Sequence, residues 1–133
     1  MKKLSVPAKL DYLDEVTDFI ESQLDDCEMK TVLQIRLAAE EIFVNIVSYA
    51  YESGEGNMEI ECDFLENPKR FLIRFSDYGI PFDPTAKEDA DTSEDALLER
   101  IGGLGILLVK KNMDSVDYVR EQGKNILTLV KNL

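Results

Sequence analysis

Apolar and polar positions alternate along Lys3–Val6 and the alternation stops at Pro7, the pattern of a short first strand. From Lys9 to about Cys27 the period changes: Leu10, Leu13, Val16, Phe19, Ile20 and Leu24 recur at helical spacing and predict one amphipathic helix. A second helix is predicted from about Lys30 to Tyr51, ending at the loop Glu52-Ser53-Gly54-Glu55-Gly56. Met58, Ile60, Cys62 and Phe64 then alternate with polar residues as a half-buried strand. Asn67-Pro68 marks a turn, and Arg70–Phe75 returns as the hairpin partner. Ile80–Arg100 has little periodicity and reads as a long loop, a length that usually carries function or disorder. Gly102-Gly103-Leu104-Gly105 opens a short apolar helix through about Met113. Val116–Arg120 and Asn125–Val130 form a last hairpin turning at Gln122-Gly123. The order β-α-α-β-β-loop-α-β-β predicts a two-layer α/β sandwich, with a mostly antiparallel, mixed sheet covered by helices on one face.

The second helix carries the first candidate chemistry. Val32, Ile35, Ala38, Ala39, Ile42, Ile46 and Tyr49 make one apolar face; Leu33, Leu37 and Val44 lie roughly opposite, so from Ile42 onward the helix is expected to be buried. Between these faces Gln34, Glu41, Asn45 and Ser48 fall within about 60° of arc. A carboxylate and an amide one turn apart in a buried helix have to be paired, wetted or metal-bound, because an unpaired buried charge is costly. A plain ion pair of Glu41 with a surface lysine or arginine satisfies the pattern equally well. Glu40 falls on the other side and is expected to be solvated.

Two further motifs are weak alone. In Phe75-Ser76-Asp77-Tyr78-Gly79 an Asp ends a core strand before a Gly turn, placing a carboxylate at the sheet rim where it can accept from an exocyclic amine, or simply form a turn. Gly102, Gly103 and Gly105 at a helix start leave backbone N–H groups bare, an anion cradle or a packing cluster. They match neither a P-loop nor the dinucleotide fingerprint. Asp89-Ala90-Asp91 begins like a calcium loop. However, its sixth position is Glu94 instead of Gly and its twelfth is Arg100 instead of Glu, so it reads as a solvated acidic loop.

Composition narrows the field by exclusion. The 133 residues, 44% hydrophobic and 32% charged, suit one globular domain, 1–133. There is no histidine, which removes His-dependent nucleophilic catalysis, His metal sites and a self-phosphorylating histidine. A net charge of −12 argues against wrapping nucleic acid or an anionic membrane and favours a basic protein partner. Cys27 and Cys62 are too few for a disulfide framework, and neither a signal peptide nor a bilayer-spanning run is present, so a cytoplasmic location is expected.

Taken in order, Glu-x-x-x-Asn on a helix, Asp-x-Gly after a strand and Gly-Gly-x-Gly opening the next helix resemble the N, G1 and G2 boxes of the GHKL ATPase superfamily. The stretch Ala39–Tyr51, with Gly103–Val109 and the ending Gly123–Leu129, is similar to the bacterial anti-sigma factor serine/threonine kinases. The resemblance implies a Bergerat-type ATP-binding fold with ATP and Mg²⁺ as cofactors. It implies that Asn45 ligates the Mg²⁺ and Glu41 is the general base toward a substrate serine. Asp77 would take the adenine amine, Gly79 would let the chain pass close to the base, and Gly103, Leu104 and Gly105 would offer N–H groups to phosphate. Thr128 would support the adenine contact through water, and residues 80–100 would form the ATP lid. The implied partners are a sigma factor and an anti-sigma-factor antagonist, with a homodimer expected by analogy. Three departures accompany this: Tyr49 stands where many relatives carry histidine, Arg100 is one residue from the register of a phosphate contact, and the lid holds seven acidic residues. The last two favour an alternative, a nucleotide-binding module that sequesters its partner without phosphotransfer. A histidine-kinase ATP-binding domain acting in trans is a third reading.

Overall fold

The computed structural model describes residues 1–51, 55–86 and 101–133. Strand β1 (Lys2–Pro7) leads through a 3-10 turn (Leu10–Tyr12) into helix α1 (Leu13–Glu21), followed by helix α2 (Met29–Tyr49). Strands β2 (Asn57–Leu65) and β3 (Arg70–Asp77), a 3-10 turn (Pro84–Ala86), helix α3 (Ile101–Asn112) and strands β4 (Ser115–Glu121) and β5 (Lys124–Asn132) complete the order. Among the described residues the predicted succession of strands and helices holds; most of the loop expected over 80–100 lies outside them.

The five strands form one sheet in the order β1-β2-β3-β5-β4, and every pairing among them is antiparallel, so the described sheet is not mixed. Alternation sorts its faces. Met58, Ile60, Cys62, Phe71, Ile73, Phe75, Leu127 and Leu129 point into the helical layer and are buried, meeting Val16 and Ile20 of α1 and Ile35, Ala38, Ile42 and Phe43 of α2. Each fully buried Phe or Ile there contributes about 1.5–3 kcal/mol relative to exposure. Phe64 continues the sequence pattern but stays 39% exposed near the strand end. The β4–β5 hairpin turns on Gln122 and Gly123, whose φ values of 52° and 78° give the two-residue loop its type I′ character and fix the register Glu121↔Lys124.

Helix boundaries differ from the expectation for local reasons. The first helix is predicted over 9–27 but regular turns run only over Leu13–Glu21, because the Ser22 hydroxyl and the Gln23 amide both donate to the Phe19 carbonyl, diverting the last helical acceptor. Leu10, predicted on the apolar face, is exposed. Helix α2 stops at Tyr49 instead of Tyr51: Ile80 N–H takes the Ala50 carbonyl at 2.8 Å, and the Tyr51 hydroxyl accepts from Tyr78 N–H. Nor is α2 buried all round, since Leu33, Leu37, Val44 and Tyr49 are exposed; one apolar face suffices to close a two-layer core. No described helix is long and apolar enough to cross a membrane.

Candidate functional site

One stripe of helix α2 lies beside the end of β3, the start of β5 and the opening turns of α3. Asp77, the last residue of β3, is buried, and its Oδ1 accepts from Gly79 N–H at 2.9 Å, closing the turn that the Asp-x-Gly spacing suggested. Gly79 is required here by close packing. A Cβ added to it would lie 2.0 Å from the Ala50 carbonyl oxygen at the end of α2. The chain thereby passes directly over α2 and lays Ile80–Phe82 against it.

Asn45 projects from the buried side of α2 into a pocket whose lining also includes Ile42, Phe75, Asp77 and Asn125. Phe82 also lines it and stacks on Tyr49 with ring centroids 5.3 Å apart. One turn earlier, about 6 Å along the axis, half-buried Glu41 reaches α3: a Cβ placed on Gly105 would come within 2.4 Å of Glu41 Oε2. Asp77, Asn45 and the Glu41–Gly105 contact therefore follow one another along α2. Glu40 turns away, as expected, but is not merely solvated; it accepts from Arg36 Nε at 3.1 Å, and Arg36 also bridges to Glu21.

Gly103 and Gly105 lie in the opening turns of α3, at the helix start that the sequence indicates. Leu104 lies between them on the same turns. Lys87, the acidic positions Glu88–Glu99 and Arg100 fall outside the described residues, as does the rejected calcium-loop segment. Thr128 is not brought to the pocket. It pairs with Arg74 across β3–β5 and faces the side of the sheet away from the helices, since its neighbours Leu127 and Leu129 face the core.

The position that does reach Asp77 from β5 is Asn125, its register partner. Asn125 Nδ2 donates to Asp77 Oδ1 at 2.9 Å and to the Ile80 carbonyl at 2.7 Å; its Oδ1 accepts from the Tyr118 hydroxyl, from Arg120 Nη1 at 3.1 Å and from Phe82 N–H at 3.4 Å. Sequence reasoning missed it, although the signal was present. A two-residue turn at Gln122-Gly123 and period two through Asn125, Leu127 and Leu129 place a polar side chain on the core face, opposite the strand that ends in Asp77. Burial also acts on Tyr51, raising its phenol above the usual range against the opposing bond from Tyr78 N–H.

The donor set suits Mg²⁺ bound through a polyphosphate. Asn45 offers a hard amide oxygen, and among the described residues no three acidic, His or Cys side chains converge on a metal position. Mg²⁺ keeps water and phosphate ligands readily and needs few from protein.

A helical layer on an antiparallel sheet, with an Asn on the second helix facing an Asp at a strand end and glycines opening the next helix, defines a class. Residues 6–131 match the histidine kinase-like ATPase domain, and the chain belongs to that family. The resemblance to the anti-sigma serine/threonine kinases is borne out by its relatives. The serine-protein kinase RsbW of Listeria monocytogenes serovar 1/2a is 32% identical over 102 residues, 74% of this chain and 64% of that protein. RsbW of Bacillus thuringiensis is 26% identical over 138 residues, covering 94% of this chain and 81% of that protein. The chain thus spans a little under two-thirds of the Listeria relative it matches. In fold it is similar to the histidine kinase domain of the Erythrobacter litoralis EL346 blue-light activated kinase (TM-score 0.58, 16% identity, 92% of this chain and 60% of that one). Acinetobacter baumannii histidine kinase AdeS gives a TM-score of 0.56 at 15% identity, over 99% of this chain and 68% of that one.

Proposed function

We propose that this protein binds Mg-ATP and is a cytoplasmic serine/threonine protein kinase of anti-sigma type, phosphorylating an anti-sigma-factor antagonist and sequestering a sigma factor. The observation that carries this is the order along α2: Asp77 at one end, Asn45 between, and Glu41 against Gly105 at the other. That spacing suits a nucleotide with its base at Asp77 and its phosphates at α3. Asp77 accepts the adenine amine, which guanine's carbonyl oxygen cannot replace. Asn45 would hold the Mg²⁺ at the phosphates, and the opening turns of α3, with Gly103, Leu104 and Gly105, would lie beside the phosphate oxygens. Mg²⁺ supplies charge neutralisation when bound. Glu41 accepts the proton of the substrate serine as its oxygen bonds to the γ-phosphorus and the β–γ bridging bond breaks, leaving ADP.

Calorimetric titration with ATP, with and without Mg²⁺, tests the site. Mg²⁺-dependent binding weakened about tenfold or more by Asn45→Ala is expected, and the absence of binding at millimolar ATP overturns it. Glu41→Ala should abolish transfer to the antagonist while retaining ATP. Partner capture without transfer is favoured instead by the acidic lid sequence, with Asp83, Glu88, Asp89, Asp91, Glu94, Asp95 and Glu99 set against Lys87 and Arg100. Stoichiometric phosphoserine on the antagonist would eliminate that reading.

A further inference from the structure

The Asn125 side chain sits where a ligand amine would approach Asp77, and every polar atom of it is engaged. Its orientation is dictated by its partners: the Asp77 carboxylate and the Ile80 carbonyl only accept, while Arg120 and the Phe82 N–H only donate. An aspartate would set charge against Asp77, and a serine or threonine could not span both Asp77 and Ile80. The amide ties three segments together: the end of β3, the first residues after Gly79, and β4 through Tyr118 and Arg120. Arg120 Nη1 closes the ring by also donating to the Gly79 carbonyl at 2.8 Å. With this ring closed and Phe82 on Tyr49, the described lining encloses about 20 Å³. That is room for roughly one water, against the ~300–1,000 Å³ of ligand pockets.

We propose that Asn125 is a built-in competitor for the base site. Its amide donates to Asp77 in place of an adenine amine and latches residues 80–82 over the pocket. ATP must displace the side chain to bind, so the closed arrangement sets the apparent affinity. The inference rests on the nucleotide reading above and adds a determinant of how tightly, and in which conformation, nucleotide is taken.

The side-chain amide protons of Asn125, identified as the ¹⁵N resonance missing from Asn125→Ala, report the latch directly. They should be protected from solvent exchange in the free protein and lose that protection as ATP saturates it. In calorimetry Asn125→Ala should bind ATP about tenfold more tightly than the unaltered chain. Arg120→Ala, a change on an exposed side chain, should tighten binding in the same direction by a smaller factor and serves if Asn125→Ala folds poorly. Asn125 protons that stay protected while other resonances shift with ATP would overturn the latch and leave the nucleotide site standing. Equal or weaker binding by both variants would do the same. ATP binding by none of the three proteins would overturn the nucleotide reading, and the competitor with it.

Discussion

Gly79 and Gly105 both lie against α2, but a methyl group added to each meets different atoms. At Gly79 it meets backbone: 2.0 Å to the Ala50 carbonyl oxygen and 2.5 Å to its carbon, so the chain itself must move. Gly79→Ala should cost about 3 kcal/mol, as overpacking against rigid neighbours does, and urea unfolding reads the loss. At Gly105 the methyl meets the far end of Glu41, a side chain that can swing aside. Helix propensity favours alanine there by up to about 1 kcal/mol. Gly105→Ala should therefore hold or raise stability while driving the carboxylate off its position. Transfer to the antagonist should fall about 100-fold, the scale of a general base, with a smaller change in ATP affinity. A transfer rate that survives Gly105→Ala would remove Glu41 from the base role. Both glycines were legible as motif residues, but their reasons were not. Whether a Gly serves a ligand or a close helix contact depends on what approaches it from elsewhere in the chain.

Elements were legible where periodicity is long and their faces where register is fixed. The period-two run of β2 marked a half-buried strand, and Met58, Ile60 and Cys62 are buried while Phe64 near its end is exposed. Thr128 was drawn to the site by a resemblance between strand endings, yet alternation from the Gln122-Gly123 turn puts it on the outer face and Asn125 on the inner. Thr128→Ala should accordingly leave ATP affinity within about twofold, checked by the same titration. Helix ends were misread because Ser22, Gln23 and Ile80 intervene through hydrogen bonds that hydropathy does not encode. Burial of Cys62 has its own consequence. It pushes the thiol from 9.0 up to about 12, so above pH 9 the unfolded chain ionises this group while the folded one cannot. Below that pH both states hold the proton and nothing is lost. Between pH 9 and 12 stability should decline by up to about 1.4 kcal/mol per unit from this group alone. Urea midpoints across that range should fall less steeply in Cys62→Ala than in the unaltered chain.

The charge of the whole molecule bears on how a nucleotide reaches the site. Fifteen basic against 27 acidic residues leave −12, a balance that argues against wrapping nucleic acid. Where that charge lies was legible only as a list of positions, seven acidic ones between residues 80 and 100. ATP is itself an anion, so its approach is opposed at long range, and only contacts inside the pocket favour it. The Debye length falls from about 30 Å at 0.01 M salt to about 8 Å at 0.15 M, which removes the long-range repulsion and spares hydrogen bonds within the site. The association rate of ATP, followed by stopped flow at constant excess Mg²⁺, should therefore rise with added salt across this range. The dissociation rate, governed on the proposed reading by contacts at Asp77 and Asn45, should change little. This is the opposite of the usual behaviour of an anion meeting a basic cleft, where salt slows association. A rate that falls with salt would mean the pocket mouth carries a positive local field, and would point to basic side chains such as Arg120 acting on the nucleotide before it docks.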